Sequence, residues 1–203
     1  MSGPLVHVIS TGTANLASVE AGLGRCGWQP IRVEAPEQIV DAELLVVPGV
    51  GTLAAARQRL ESRAFLEPLG ERLEAGQPTL AICLGMQLLA EGSEESPGDA
   101  GLSILPGSAR RFPDSVRVPQ IGWNRVSPQA ASDWVEEGFA YFANSFYLSE
   151  DPSDGWKCLW SEHGVPFLAA AARGRILACQ FHPELSGTWG QDLLSWWLQG
   201  GVA

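Results

Sequence analysis

The chain has 203 residues, 45% hydrophobic and 18% charged, a composition that can bury a large core and is unlike that of a disordered segment. Lys and Arg number 13 against 23 Asp and Glu, and the net charge of -10 disfavours nucleic acid and anionic membranes as partners. Four cysteines (Cys26, Cys83, Cys158, Cys179) form no Cys-x-x-Cys pair and only three histidines are present, which argues against a structural zinc site.

No basic start leads into an apolar signal segment, and no run approaches the ~20 apolar residues of a membrane span. The expectation is a cytoplasmic protein with free thiols and a single domain over 1–203. No internal repeat or linker divides it.

Taken in chain order, Val6-His7-Val8-Ile9 reads as a strand. Asn15 to Arg25 reads as a helix, with Leu16, Val19, Ala21 and Leu23 on its apolar side. Pro30-Ile31-Arg32-Val33 is a second strand, and Leu44-Leu45-Val46-Val47 has the continuous apolar character of a strand buried on both faces. Leu53 to Glu74 is helical, with a break expected near Pro68. Thr79-Leu80-Ala81-Ile82 is another buried strand, and Leu84 to Glu91 the helix after it. Glu91 to Gly101, rich in Gly, Ser, Glu and Pro, reads as an exposed loop.

Beyond it come short β-type runs with Gly and Pro punctuation: Val116 to Val118, Ala140 to Ala143, Lys157 to Trp160, Phe167 to Ala170 and Ile176 to Cys179. A last helix spans Gly190 to Gln199. Strand-helix alternation followed by hairpins implies an α/β fold of three layers. It is a mostly parallel sheet with helices on both faces and antiparallel strands added in the second half.

Cys83 stands between the buried strand and the following helix. A helix start supplies N–H groups and partial positive charge, both favouring thiolate. Gly85 permits a tight turn that presents the sulfur, as in a nucleophile elbow. The competing reading is a buried structural thiol, common for free cysteine. His182 and Glu184 weigh against it. On an extended segment, residues i and i+2 share a side. Glu184 would then hold one imidazole nitrogen of His182 and leave the other for the sulfur. Cys83, His182 and Glu184 are thus the parts of a catalytic triad.

The loop Pro48-Gly49-Val50-Gly51 follows the strand Leu44 to Val47 and leaves a parallel sheet at the same edge as Cys83. Acyl transfer needs N–H donors for the developing oxyanion. Leu84 offers one, and Gly49 or Val50 the second. His7 and His163 stand alone. Gly22, Gly24 and Gly27 do not directly follow a strand, so they form no dinucleotide fingerprint.

With these motifs, nearly the whole chain resembles the class I (triad) glutamine amidotransferases. Within them it resembles the glutaminase subunits of imidazole glycerol phosphate synthases. The resemblance rests on Ile82-Cys83-Leu84-Gly85-Met86-Gln87, Pro48-Gly49-Val50-Gly51 and Gln180-Phe181-His182-Pro183-Glu184. Asn15 after Gly12, Leu105-Pro106-Gly107, Gly122-Trp123-Asn124 and Tyr141-Phe142 support it.

It implies that Cys83 attacks glutamine while His182, oriented by Glu184, moves the proton. It also implies that Gly51, Gln87, Ser145 and Phe146 hold the substrate. The ammonia would enter a (β/α)8-barrel synthase subunit, a separate chain in a heterodimer, which makes imidazole glycerol phosphate and an aminoimidazole carboxamide ribotide. No cofactor or metal is implied.

Four departures stand out. Leu185 replaces the usual Lys after Glu184, Asn144-Ser145-Phe146 replaces His-Ser-Tyr, and Gln120 replaces His. Thr11 to Asn15 lacks the usual second glycine. They bear on docking and on which partner is served. Three other readings stay open: a paralogue supplying ammonia for another acceptor such as a sugar, a stand-alone γ-glutamyl hydrolase, and a non-catalytic binding module.

Overall fold

The computed structural model describes residues 3–10, 15–129, 134–153 and 155–201. The first half alternates strand and helix: β1 (Leu5–Val8), α1 (Leu16–Arg25), β2 (Gln29–Arg32), α2 (Glu37–Asp41), β3 (Leu45–Gly49), α3 (Leu53–Ser62), α4 (Leu66–Glu74), β4 (Thr79–Cys83) and α5 (Leu84–Leu88). The second half is mainly strands: β5 (Gly92–Ser93), β6 (Ser108–Arg111), β7 (Gln120–Pro128), β8 (Gly138–Asn144), β9 (Phe146–Tyr147), β10 (Lys157–Glu162), β11 (Pro166–Arg173) and β12 (Ile176–Cys179). A 3-10 turn, Pro183–Leu185, leads into α6 (Gly187–Leu198).

One sheet runs β2-β1-β3-β4-β12-β11-β10-β7-β8. Pairing is parallel from β2 to β12 and antiparallel from β12 to β8. Ile176–Cys179 joins the two halves: it lies parallel to β4 and antiparallel to β11. A second small sheet runs β5-β6-β9.

The period of two along a strand sorts the core into two layers. Val46, Leu80 and Ile82 pack with Leu23 of α1 and with Leu194 and Trp197 of α6. Leu45, Val47 and Ala81 pack on the other face with Ile39, Leu60, Leu69 and Met86 from α2 to α5. Each fully buried Leu or Ile contributes about 1.5–3 kcal/mol. The two layers together explain why β3 and β4 are apolar at nearly every position. The expected three-layer α/β architecture is therefore present.

Several local expectations fail. The long helix breaks at Arg63 to Phe65, where Ala64 takes φ 55°, and not at Pro68. Pro68 lies in the first turn of α4, where its missing N–H has no helical partner to lose. Val116 to Val118 forms no strand, and the bond from Val118 into Pro119 is cis. Helix α5 stops at Leu88 instead of Glu91, and α6 begins at Gly187 instead of Gly190. Gly92 and Ser93, read as loop, pair with β6. Thr11 to Ala14 lie outside the described residues.

Candidate active site

Strands β3 and β4 end together, with Gly49 opposite Cys83. At the end of β4 the backbone turns sharply, and Cys83 takes φ 56°, ψ -109°. A positive φ at a non-glycine residue is strained, and it persists because its surroundings leave no alternative. Gly85 supplies the constraint. A Cβ there would stand 1.9 Å from the carbonyl oxygen of Val47, so α5 begins directly against β3. The thiol is held at the sheet edge, 6% exposed. With only five residues, α5 has a small dipole, so the N–H groups of its first turn supply the positive end.

His182 reaches the site by a route the sequence does not announce. His182 itself is extended, but Glu184 lies in the 3-10 turn rather than on an extended segment. The carboxylate curls back so that Nδ1 of His182 lies 2.8 Å from Oε1 of Glu184. Neighbouring elements clamp this turn. The His182 N–H donates to Tyr141 O at 2.9 Å, and Ser186 Oγ donates to His182 O at 2.6 Å. Ser186 Oγ also accepts from Tyr141 N, and Arg25 of α1 donates to Glu184 O at 2.8 Å. Helix α1 comes this close because residue 22 is glycine: a Cβ would lie 2.7 Å from that of Glu184.

His182 and Glu184 are 8% and 5% exposed. With Nδ1 engaged, Nε2 is left for the sulfur. Burial pulls the His182 pKa down. The hydrogen bonds and charges of Cys83 and Glu184 more than reverse this and raise it to about 10. Glu184 Oε2 has no hydrogen-bond partner among the described residues, so the carboxylate makes its one bond to the imidazole.

Two other thiols are pushed towards their neutral form. Burial, then the nearby Glu184 charge, pushes Cys179 well above the ordinary thiol range. Burial and the Asp151 carboxylate push Cys158 up to about 12. Neither is suited to nucleophilic work at neutral pH. No cluster of three His, Cys, Asp or Glu side chains among the described residues could hold a metal.

A cavity of about 250 Å³ opens over Cys83. Val50, Gly51, Leu84, Gln87, Ser145 and Phe146 are in its lining. These are residues singled out from the sequence, and the fold brings them to one cavity. Gly49 is not in the lining but sits against Leu84, as the register partner of Cys83.

Sequence reasoning missed other contributors. Thr52, Ala143 and Asn144 also line the cavity, as does Glu95, from the segment whose composition reads as an exposed loop. Serines turn that loop inward: Glu95 N donates to Ser93 Oγ, and Ala54 N at the start of α3 donates to Ser96 Oγ. The pattern Ser93-Glu94-Glu95-Ser96 was the available signal, since Ser hydroxyls organise turns. Burial raises the Glu95 pKa. Gln180, in the sequence simply the residue before Phe181-His182, is fully buried and its Nε2 donates to Cys83 Sγ at 3.6 Å.

The site thus combines a thiol, an imidazole oriented by Glu184, backbone N–H groups at a turn and a second carboxylate, Glu95, in the cavity lining. That set suits acyl transfer from a small substrate carrying a cationic group.

The same arrangement can be sought among known proteins. The chain is 39% identical over 188 residues to "Imidazole glycerol phosphate synthase subunit HisH" of Thermus thermophilus, covering 93% of each. It is 36% identical over 194 residues to the protein of that name from Desulfitobacterium hafniense, covering 94% of this chain and 92% of that one. A crystal structure of a glutamine amidotransferase superposes with TM-score 0.76 at 19% identity, over 97% of this chain and 98% of that one. The PurLQS structure from Thermotoga maritima gives 0.69 at 17% identity, over 98% and 97%. At such identities these two show a shared fold. The family model for "Glutamine amidotransferase class-I" matches residues 10–198. By the match over residues 10–198 and by identity to curated relatives, the chain belongs to the class-I glutamine amidotransferase family.

Proposed function

We propose that this chain is the glutaminase subunit of an imidazole glycerol phosphate synthase. The observation that carries the reading is identity of 36–39% to subunits of that name over more than nine-tenths of the chain. The geometry around Cys83 supplies a mechanism. The Cys83 sulfur adds to the side-chain amide carbon of glutamine, and its proton resides on His182. Leu84 N–H and an N–H from the Gly49-Val50 segment stabilise the oxyanion, each worth about 3 kcal/mol. His182 then protonates the departing nitrogen, ammonia leaves, and a glutamyl thioester remains. Water, activated by the same imidazole, releases glutamate and regenerates the thiol. Gly51, Gln87, Ser145 and Phe146 hold the glutamine, and Glu95 faces its α-ammonium.

The ammonia goes to a separate (β/α)8-barrel synthase subunit in a heterodimer. Support for docking lies on the outer face of the β7-β8 hairpin. Ile121, Trp123 and Phe139 are 63%, 57% and 59% exposed. Ile121 stands opposite Ala143 and Trp123 opposite Tyr141, so they share one face of the sheet. The Trp123 ring lies over Gly187, beside the turn that carries Leu185, itself 39% exposed. A contiguous apolar face of this kind marks a protein contact. Ala143 belongs both to that face and to the cavity wall, which brings the ammonia source next to the docking surface.

The test is glutamate release from glutamine, with and without the same organism's barrel subunit and its ribotide ligand. Strong stimulation that disappears in Cys83→Ser is expected. A well-folded pair showing no stimulation would assign the subunit to a different acceptor synthase. Turnover of Cys83→Ser within tenfold of wild type would remove the covalent mechanism.

A further inference from the structure

Gln180 follows β12 directly, is fully buried, and has hydrogen-bonding groups at both ends of its carboxamide engaged. Its Nε2 donates to Cys83 Sγ at 3.6 Å, and its Oε1 accepts from Gln87 Nε2 at 2.9 Å. Gln87 Nε2 also donates to the backbone carbonyl of Phe146 at 3.3 Å. Asn144 Nδ2 donates to that same carbonyl at 2.9 Å.

The polarity of this chain is not free. A backbone carbonyl only accepts, so Phe146 O requires the nitrogen of Gln87 to face it. That nitrogen then presents a donor to Gln180, which must answer with its oxygen. The Gln180 nitrogen is thereby turned to the sulfur. One peptide carbonyl in the cavity wall therefore fixes which end of a buried carboxamide meets the nucleophile. A donor there favours thiolate over thiol, because hydrogen bonds to an anion are the stronger kind. The Gln180 backbone is held as well, since its N–H donates to Ala169 O at 2.8 Å.

We propose that Gln180 is a positioning residue for the Cys83 thiolate, oriented through Gln87 by the carbonyl of Phe146. The relay gives the sulfur a hydrogen-bond donor besides its interaction with the His182 imidazole, and ties the nucleophile to the wall that receives substrate. This proposal rests on the nucleophilic role of Cys83 and adds to it. It predicts that the thiol's reactivity is set partly by a residue that touches neither glutamine nor the base.

The experiment is alkylation of Cys83 by iodoacetamide as a function of pH, read by mass spectrometry of the labelled peptide, in wild type and Gln180→Met. Methionine keeps similar length and loses the donor. The expected result is an upward shift of the alkylation inflection by about one pH unit. It is accompanied by a fall in kcat of about tenfold or more with KM within about threefold. Gln87→Leu, which leaves Gln180 free to reverse, should shift the inflection the same way and serves if Gln180→Met does not fold. An unchanged inflection in folded variants overturns the proposal, even if kcat falls. Label on another cysteine, or turnover surviving in Cys83→Ser, would instead overturn the nucleophilic assignment beneath it.

Discussion

In the proposed mechanism Cys83, His182 and Glu184 do different work, and their substitution should separate them. His182→Ala removes the group that carries the proton. Glu184→Ala removes only the partner of Nδ1, leaving an imidazole that Tyr141 O and Ser186 still hold by its backbone. Steady-state glutaminase assays should therefore show the larger loss of kcat for His182→Ala, about tenfold or more beyond that of Glu184→Ala. The reverse order would mean the roles are exchanged.

The raised His182 pKa has a second consequence. Its folded value of about 10 exceeds the ordinary 6.5, so its contribution to stability is complete below pH 6.5 and is lost as pH rises towards 10. The melting temperature of wild type relative to His182→Ala should thus fall steadily between pH 6.5 and 10. A constant difference across that window would show that the imidazolium is not stabilised by its neighbours.

At the scale of elements, the site is a meeting of ends. The ends of β3 and β4 place Gly49 beside Cys83, and α5 packs down on β3 at Gly85. Alanine at position 85 would force its Cβ into the Val47 carbonyl. Gly85→Ala should destabilise the protein by about 3 kcal/mol or more, measured by urea unfolding, as for overpacked cores. Any folded fraction should have lost activity, since moving α5 moves the sulfur and the Leu84 N–H together. The other clamp is the 3-10 turn after β12, held from three sides by α1, β8 and Ser186. It explains why a loop only a few residues long can hold a base within reach of a thiol ninety-odd residues away.

At the scale of the whole molecule, an acidic protein exposes a narrow apolar face. The net charge of -10 keeps the rest of the surface hydrated, while Ile121, Trp123, Phe139 and Leu185 cluster on one side. Leu185 is 39% exposed beside this face, so the partner surface proposed to meet it is expected to be apolar. Trp123→Ala should weaken association with the proposed barrel subunit about tenfold or more, as buried aromatic anchors do. Glutaminase activity measured without the partner should be retained. Titration calorimetry of the pair checks the first point, and unchanged affinity would move the docking surface elsewhere.

The sequence by itself determined what local chemistry encodes. Apolar runs at Leu45 to Val47 and Thr79 to Ile82 required cover on both faces, which fixed the layered α/β class. The residue types at Cys83, His182 and Glu184 pointed to the proposed triad, and the glycine two positions after the thiol to the sharp turn. Helix ends were less legible, because α5 and the break at Arg63 to Phe65 depend on packing that no local pattern records. Only the tertiary structure decided how Glu184 reaches His182, since a 3-10 turn and an extended strand differ by contacts from α1 and β8. It alone drew Glu95 into the cavity and Gln180 onto the sulfur. Both connections join residues remote in the chain, and hydrogen bonds between such residues leave no period or spacing in the sequence to be read.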